Sequence, residues 1–244
     1  MKWRAAWLLA VLALGACGGP ADPVDVGDPT AEPTAAERDP LEPELVATDA
    51  EGAPTTGRFE LGVHYLRLSP TQPTSSNPDQ VEVAEVFWYG CPHCYELDPL
   101  LERWRAQQPE YVNFLRVPAL WNPTLRVHAR AFYTAEALAK GEEMHAEFFR
   151  EIHERRNGLD TEEKLQEFFG RFGVDAAAFK AAFDSFAVQA KLQRADELNR
   201  RYRVSSVPTI IVNGKYTTDG PMAGSYQDLL LLVDELTAAE REAR

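Results

Sequence analysis

Two cysteines three residues apart, Cys91 and Cys94, stand between a strand-like run and a helix-like run, and no other feature narrows the fold as far. The run before them, Val81-Glu82-Val83-Ala84-Glu85-Val86-Phe87-Trp88, is β-branched and aromatic and follows the breaker-rich residues 69–78, so it reads as a strand. After them Leu97, Leu100, Leu101 and Trp104 recur at helical spacing, and Pro92 sits just inside the start, where a missing N–H costs nothing. Gly90-Cys91-Pro92-His93-Cys94 therefore occupies a strand-to-helix junction. Positions i and i+3 of a first helical turn can come within disulfide range. Cys91 falls where unpaired N–H groups and the helix dipole favour a thiolate, and His93 adds a donor or a cation beside it. A stable thiolate leaves a mixed disulfide easily and favours the reduced pair, so the oxidised pair is a strong oxidant.

The rest of residues 58–244 continues the alternation. Residues 111–117 read as a second strand and residues 123–186 as several helical pieces, one opened by the capping-box-like Asp160-Thr161-Glu162-Glu163. A charged amphipathic helix follows over 188–203. Residues 207–216 hold Asn213-Gly214 between two β-type runs, a strong hairpin signal, and 226–239 close with a helix. This order predicts an α/β sheet covered by helices, with the helical block as a subdomain, since it is too long for a loop.

The formal charge of −13 on 244 residues is unevenly placed. Residues 18–57 carry ten acids against Arg38 alone, seven Pro and no Phe, Trp or Tyr, so they are expected to be a disordered tether. Residues 1–16 read as a signal peptide: Lys2 and Arg4 precede an apolar run too short to span a bilayer. The run ends in Leu14-Gly15-Ala16-Cys17, which resembles the bacterial lipoprotein box, so Cys17 is the expected lipid attachment point and the odd one of three cysteines. The acidic balance argues against nucleic acid as a partner. No second cysteine pair and no finger-spaced histidine accompanies Cys91 and Cys94, which speaks against a zinc site.

Cys91-Pro92-His93-Cys94 resembles the active-site motif of the DsbA thiol:disulfide oxidoreductases, which have a thioredoxin fold with an inserted helical subdomain. Three further features carry the resemblance: Glu85 six residues before the first cysteine, Val207-Pro208 ahead of the hairpin Ile211-Val212-Asn213-Gly214-Lys215-Tyr216, and the helical block interrupting the thioredoxin order, here at about residues 122–186. The resemblance implies that Cys91 is the nucleophile, Cys94 the buried resolving thiol and Pro208 a cis-proline packed against them. It implies that Val207 offers its backbone to an extended substrate peptide. Glu85 would be a buried carboxylate, with a raised pKa, relaying a proton for Cys94. Arg116 is a candidate for the family's basic residue on the next strand, and its charge would hold Glu85 ionised. Trp88 and Tyr89 flank the motif and are expected to line a peptide groove. His64, His128, His145 and His153 are read as ordinary surface or packing residues.

The expected activity is therefore oxidation of reduced exported proteins in the periplasm by the Cys91–Cys94 disulfide. The enzyme would be a monomer, lipid-anchored to the inner or outer membrane, and would need no organic cofactor or metal. A DsbB-like quinone-linked membrane oxidase is the expected reoxidising partner. A reductase or isomerase of the same class is a rival, which His93 disfavours because thioredoxin-like reductants usually carry Gly-Pro between the cysteines. A tethered peptide-binding module with an incidental disulfide is a rival of another class.

Overall fold

The computed structural model of the chain describes residues 42–47 and 57–244. Two short strands come first, β1 (Glu44–Val46) and β2 (Leu66–Ser69), followed by β3 (Val81–Phe87), helix α1 (Pro92–Arg105) and β4 (Val112–Pro118). Four helices fill the next stretch, α2 (Pro123–Ala137), α3 (Gly141–His153), α4 (Glu162–Gly170) and α5 (Ala176–Phe183). Then come α6 (Phe186–Arg201), the hairpin strands β5 (Thr209–Val212) and β6 (Tyr216–Thr218), the single turn α7 (Gly220–Ala223) and α8 (Tyr226–Glu242).

Among the described residues the strands form one sheet in the order β1-β2-β6-β5-β3-β4. β3 and β4 run parallel, with Glu85 beside Arg116. A parallel pair needs a crossover, and α1 provides it. β5 lies antiparallel on the other side of β3, so β3 is interior to the sheet, and all seven of its residues are buried. Burial on both faces explains its near-continuous apolar reading. Val81 and Val83 pack with Leu97 and Leu101 of α1 and Leu229, Leu232 and Leu236 of α8. Ala84 and Val86 face the second core, which holds Phe132, Phe148, Phe149, Phe168, Phe169 and Phe179 of α2–α5. This is the thioredoxin arrangement, with a helical subdomain between β4 and α6.

The hairpin closes as its sequence predicts. Asn213 and Gly214 both take left-handed backbone angles, φ 52° and 63°, and the Lys215 N–H donates to the Val212 carbonyl at 2.9 Å. A side chain at Gly214 would also meet the Gln72 carbonyl oxygen at 2.1 Å, so that position accepts only glycine.

One boundary differs from expectation. Residues 44–46, assigned from composition to the tether of 17–57, form β1, whose Leu45 lies opposite Leu68 of β2. An edge strand gains backbone hydrogen bonds whatever its neighbours in sequence, and composition averaged over forty residues hides three that pair. The expected signal peptide of 1–16 and the lipid site Cys17 lie outside the described residues.

Candidate active site

The site forms where β3 ends and α1 begins. Cys91 is the N-cap of α1, in extended backbone conformation, with Pro92 as the first helical residue. Its N–H donates to the Trp88 carbonyl at 3.0 Å and its carbonyl accepts from Tyr95 N–H at 3.1 Å, which fixes the turn. Both thiols are free, Cys91 at 7% exposure and Cys94 fully buried. The Val207–Pro208 peptide is cis, Pro208 is buried, and the Cys91 thiol approaches the Val207 carbonyl oxygen at 3.4 Å.

Four influences hold the Cys91 thiol down at about 6, against 9.0 ordinarily. The largest is the Cys94 S–H, which donates to the Cys91 sulfur; the backbone N–H groups of Cys94 and His93 follow, and the charge of the His93 ring comes last. Burial opposes them. The His93 side chain is 70% exposed with Nδ1 at 3.5 Å from Glu96, so it acts at a distance while the backbone acts by contact. Cys94 is displaced the other way, well above the usual thiol range, first by burial, then by its bond to Cys91 and the charge of Glu85. The pair is thus split into an acidic outer thiol and a resistant inner one.

Glu85 lies beneath Cys94 at 2% exposure. Burial pushes its carboxyl up to about 7, although the Arg116 guanidinium pulls it down. Arg116 Nε donates to Glu85 at 3.2 Å, while its Nη2 reaches Asp98 at 3.1 Å and also contacts Glu102. Arg116 thus pairs with Glu85 as well as with Asp98 and Glu102, and burial outweighs its pull on the Glu85 carboxyl. Asp98 ends below its ordinary value because His145 and Arg116 hydrogen bonds outweigh its burial. His145 Nε2 lies 3.0 Å from Asp98, and the Tyr89 hydroxyl lies 2.9 Å from His145 Nδ1.

The expected groove residues separate. Tyr89 is 2% exposed and stacks on Phe148, so it is a core residue and lines no groove. At a strand end, alternation turns one of two neighbouring aromatics inward. Trp88 stays half-buried, with Nε1–H donating to His128 Nδ1 at 2.9 Å. Beside the cis-proline, a cavity of about 470 Å³ is lined by His93, Val207, Pro208, Pro221 and Tyr226. Its apolar walls beside the Val207 backbone suit an extended peptide. His153 donates from Nε2 to the Tyr89 carbonyl at 2.8 Å and stacks on Tyr95. The sequence reading overlooked Asp98 and the roles of His128, His145 and His153. Asp98 was within reach of it, since it lies four residues after Cys94 on the same helical face.

Residues 115–230 match the model of the DSBA-like thioredoxin domain family. The thiol:disulfide interchange protein DsbA of Azotobacter vinelandii is 38% identical over 186 residues, which are 76% of this chain and 86% of that protein. The Pseudomonas aeruginosa protein of the same name is 38% identical over 185 residues, 76% of this chain and 87% of that one. The crystal structure of Pseudomonas aeruginosa DsbA superposes with a TM-score of 0.71, covering 75% of this chain and 94% of that chain. That of the Xylella fastidiosa oxidoreductase DsbA gives 0.69 at 31% identity, covering 73% and 96%.

Proposed function

The chain belongs to the DsbA family, whose members exchange thiols and disulfides through their own cysteine pair without a cofactor, and from that premise we propose how its residues divide the work. A substrate thiolate attacks the Cys91 sulfur of the Cys91–Cys94 disulfide. The Cys91–Cys94 bond breaks as the mixed disulfide forms, and Cys94 leaves as a thiolate. Glu85, whose carboxyl burial raises to about 7, delivers the proton that the buried Cys94 sulfur needs. A second substrate thiolate then attacks the substrate sulfur, and Cys91 leaves as a thiolate. The substrate has lost two electrons and the enzyme has gained them. The observation that carries this direction is the place of Cys91 at the N-cap of α1, against the Cys94 S–H and the backbone N–H groups of residues 93 and 94, which favours the thiolate and the reduced pair and so makes the disulfide oxidising.

Val207 and Pro208 form the wall along which the substrate peptide lies, with Trp88 on the other side. The enzyme works outside the cytoplasm, in the periplasm, as a monomer held to a membrane by a lipid on Cys17. A DsbB-like quinone-linked membrane oxidase reoxidises it, and its substrates are reduced exported proteins. No described helix is long and apolar enough to cross a membrane. The test is oxidation of a reduced model protein by the oxidised chain: Cys91→Ser is expected to abolish it. A redox titration against glutathione should give a potential well above thioredoxin's of about −270 mV. A thioredoxin-like value would make the protein a reductase, and oxidation surviving in C91S would show that it does not run through Cys91 and would favour the tethered peptide-binding reading.

A further inference from the structure

We propose that His128, on α2, is a positioning residue for the exchange reaction: it fixes the Trp88 indole as the second wall of the site. This rests on the reading above, in which the substrate peptide passes over Cys91. The indole N–H can only donate, so the bond from Trp88 Nε1 to His128 Nδ1 at 2.9 Å requires that Nδ1 carry no hydrogen. His128 Nε2 must then carry it, and donates to the Gly158 carbonyl at 2.8 Å. The imidazole is 4% exposed and burial holds it below the ordinary histidine range, which keeps the acceptor form. The Asp160 carboxylate faces it, and the Tyr89 ring packs beside it at 6.5 Å. The two rings lie nearly coplanar and edge to edge, with centroids 6.0 Å apart and planes 27° from parallel, as an in-plane N–H···N bond requires.

The indole so held lies on the residue that precedes the nucleophile. A Cβ on Gly90 would come within 2.3 Å of Trp88 Cζ2. The ring cannot swing away without losing that hydrogen bond. His145 and His153 grip the neighbouring Tyr89 by its hydroxyl and its carbonyl, and of the three imidazoles His128 is the one that accepts from the indole. An apolar side chain next to the reacting cysteine of a peptide would meet this aromatic face. The contact exists before any bond changes, so its loss acts on KM more than on kcat.

The test uses the full chain and a synthetic two-cysteine peptide with leucine beside the reacting cysteine. His128→Leu removes the acceptor, whereas His128→Asn keeps an oxygen near the Nδ1 position. H128L is expected to raise KM about fivefold, the net worth of one hydrogen bond, with kcat changed less than about twofold. H128N should stay within about twofold of the unsubstituted chain in both. The Trp88 indole ¹H–¹⁵N resonance, assigned by its loss in W88F, should keep its protection from hydrogen exchange in H128N and lose it in H128L. That signal needs no turnover, so it separates this proposal from the thiol-exchange reading. W88F alone should raise KM as much as H128L, and H128L should add nothing in the W88F background. An unchanged KM in W88F overturns the proposal whether or not H128L folds. An equal KM rise from H128L when Trp88 is already Phe overturns it as well, because His128 would then act through the fold.

Discussion

Glu85→Gln removes a titrating group from beneath Cys94 while keeping its shape. Burial lifts the folded carboxyl from 4.5 to about 7, so it holds its proton more tightly than the unfolded chain does. Its contribution to stability is therefore full below about pH 4.5 and is lost as the pH rises through about 7. The gap is worth roughly 3 kcal/mol at 1.36 kcal/mol per pH decade, and with 2% exposure little of it is screened by solvent. Gln is neutral throughout, and Arg116 keeps Asp98 and Glu102. The stability of E85Q relative to the unsubstituted protein should thus rise by about 3 kcal/mol between pH 4 and pH 8. Urea unfolding of both disulfide-bonded proteins, followed by circular dichroism at stepped pH, measures the difference. Two results refute the reasoning: profiles that stay parallel, or an advantage of the unsubstituted protein that grows with pH. The second would mean that Arg116 holds the carboxylate ionised after all.

In the reduced protein, thiolate absorbance should titrate near 6, and Cys94→Ala, which removes the strongest donor to Cys91, should raise that midpoint by at least about one pH unit. An unmoved midpoint would transfer the effect to the helix N-terminus and His93. Gly214→Ala places a side chain in left-handed backbone and against the Gln72 carbonyl, and should destabilise by more than about 1 kcal/mol in chemical unfolding, with exchange activity per folded molecule retained.

The parts of the site that sequence reveals are those with local causes. Cys91 and Pro92 are placed by a strand end and a helix start, and Asn213-Gly214 by turn geometry, so both are legible over a few residues. Glu85 could be located but its state could not. Whether it stays protonated depends on how one arginine is divided among residues 85, 98 and 102, and the partition exists only after α1 packs on β3 and β4. Tyr89 was misread because two adjacent aromatics look alike until the inserted helices bury one of them. The histidines carry no pattern at all. His128, His145 and His153 lie 40, 56 and 64 residues from the atoms they bond on Trp88 and Tyr89, and no short window joins them. β1 was hidden for a related reason, since its partner β2 lies more than twenty residues away.

β1 also decides where a pull on the chain is felt. Tension arriving from residues before Glu44 loads the three-residue β1–β2 ladder at the far edge of the sheet, away from β3 and the turn that carries Cys91. That short ladder can yield first, leaving the redox turn undisturbed. It sets a leash length too. If Cys17 is held at a membrane, only residues 18–41 separate it from the start of the folded body, a reach of at most about 80–85 Å rather than the 130–145 Å that a free chain to residue 57 would allow. With such an anchor, substrates and a reoxidising partner would have to come within that radius, and a change that unpairs β1 would widen it without touching a catalytic atom.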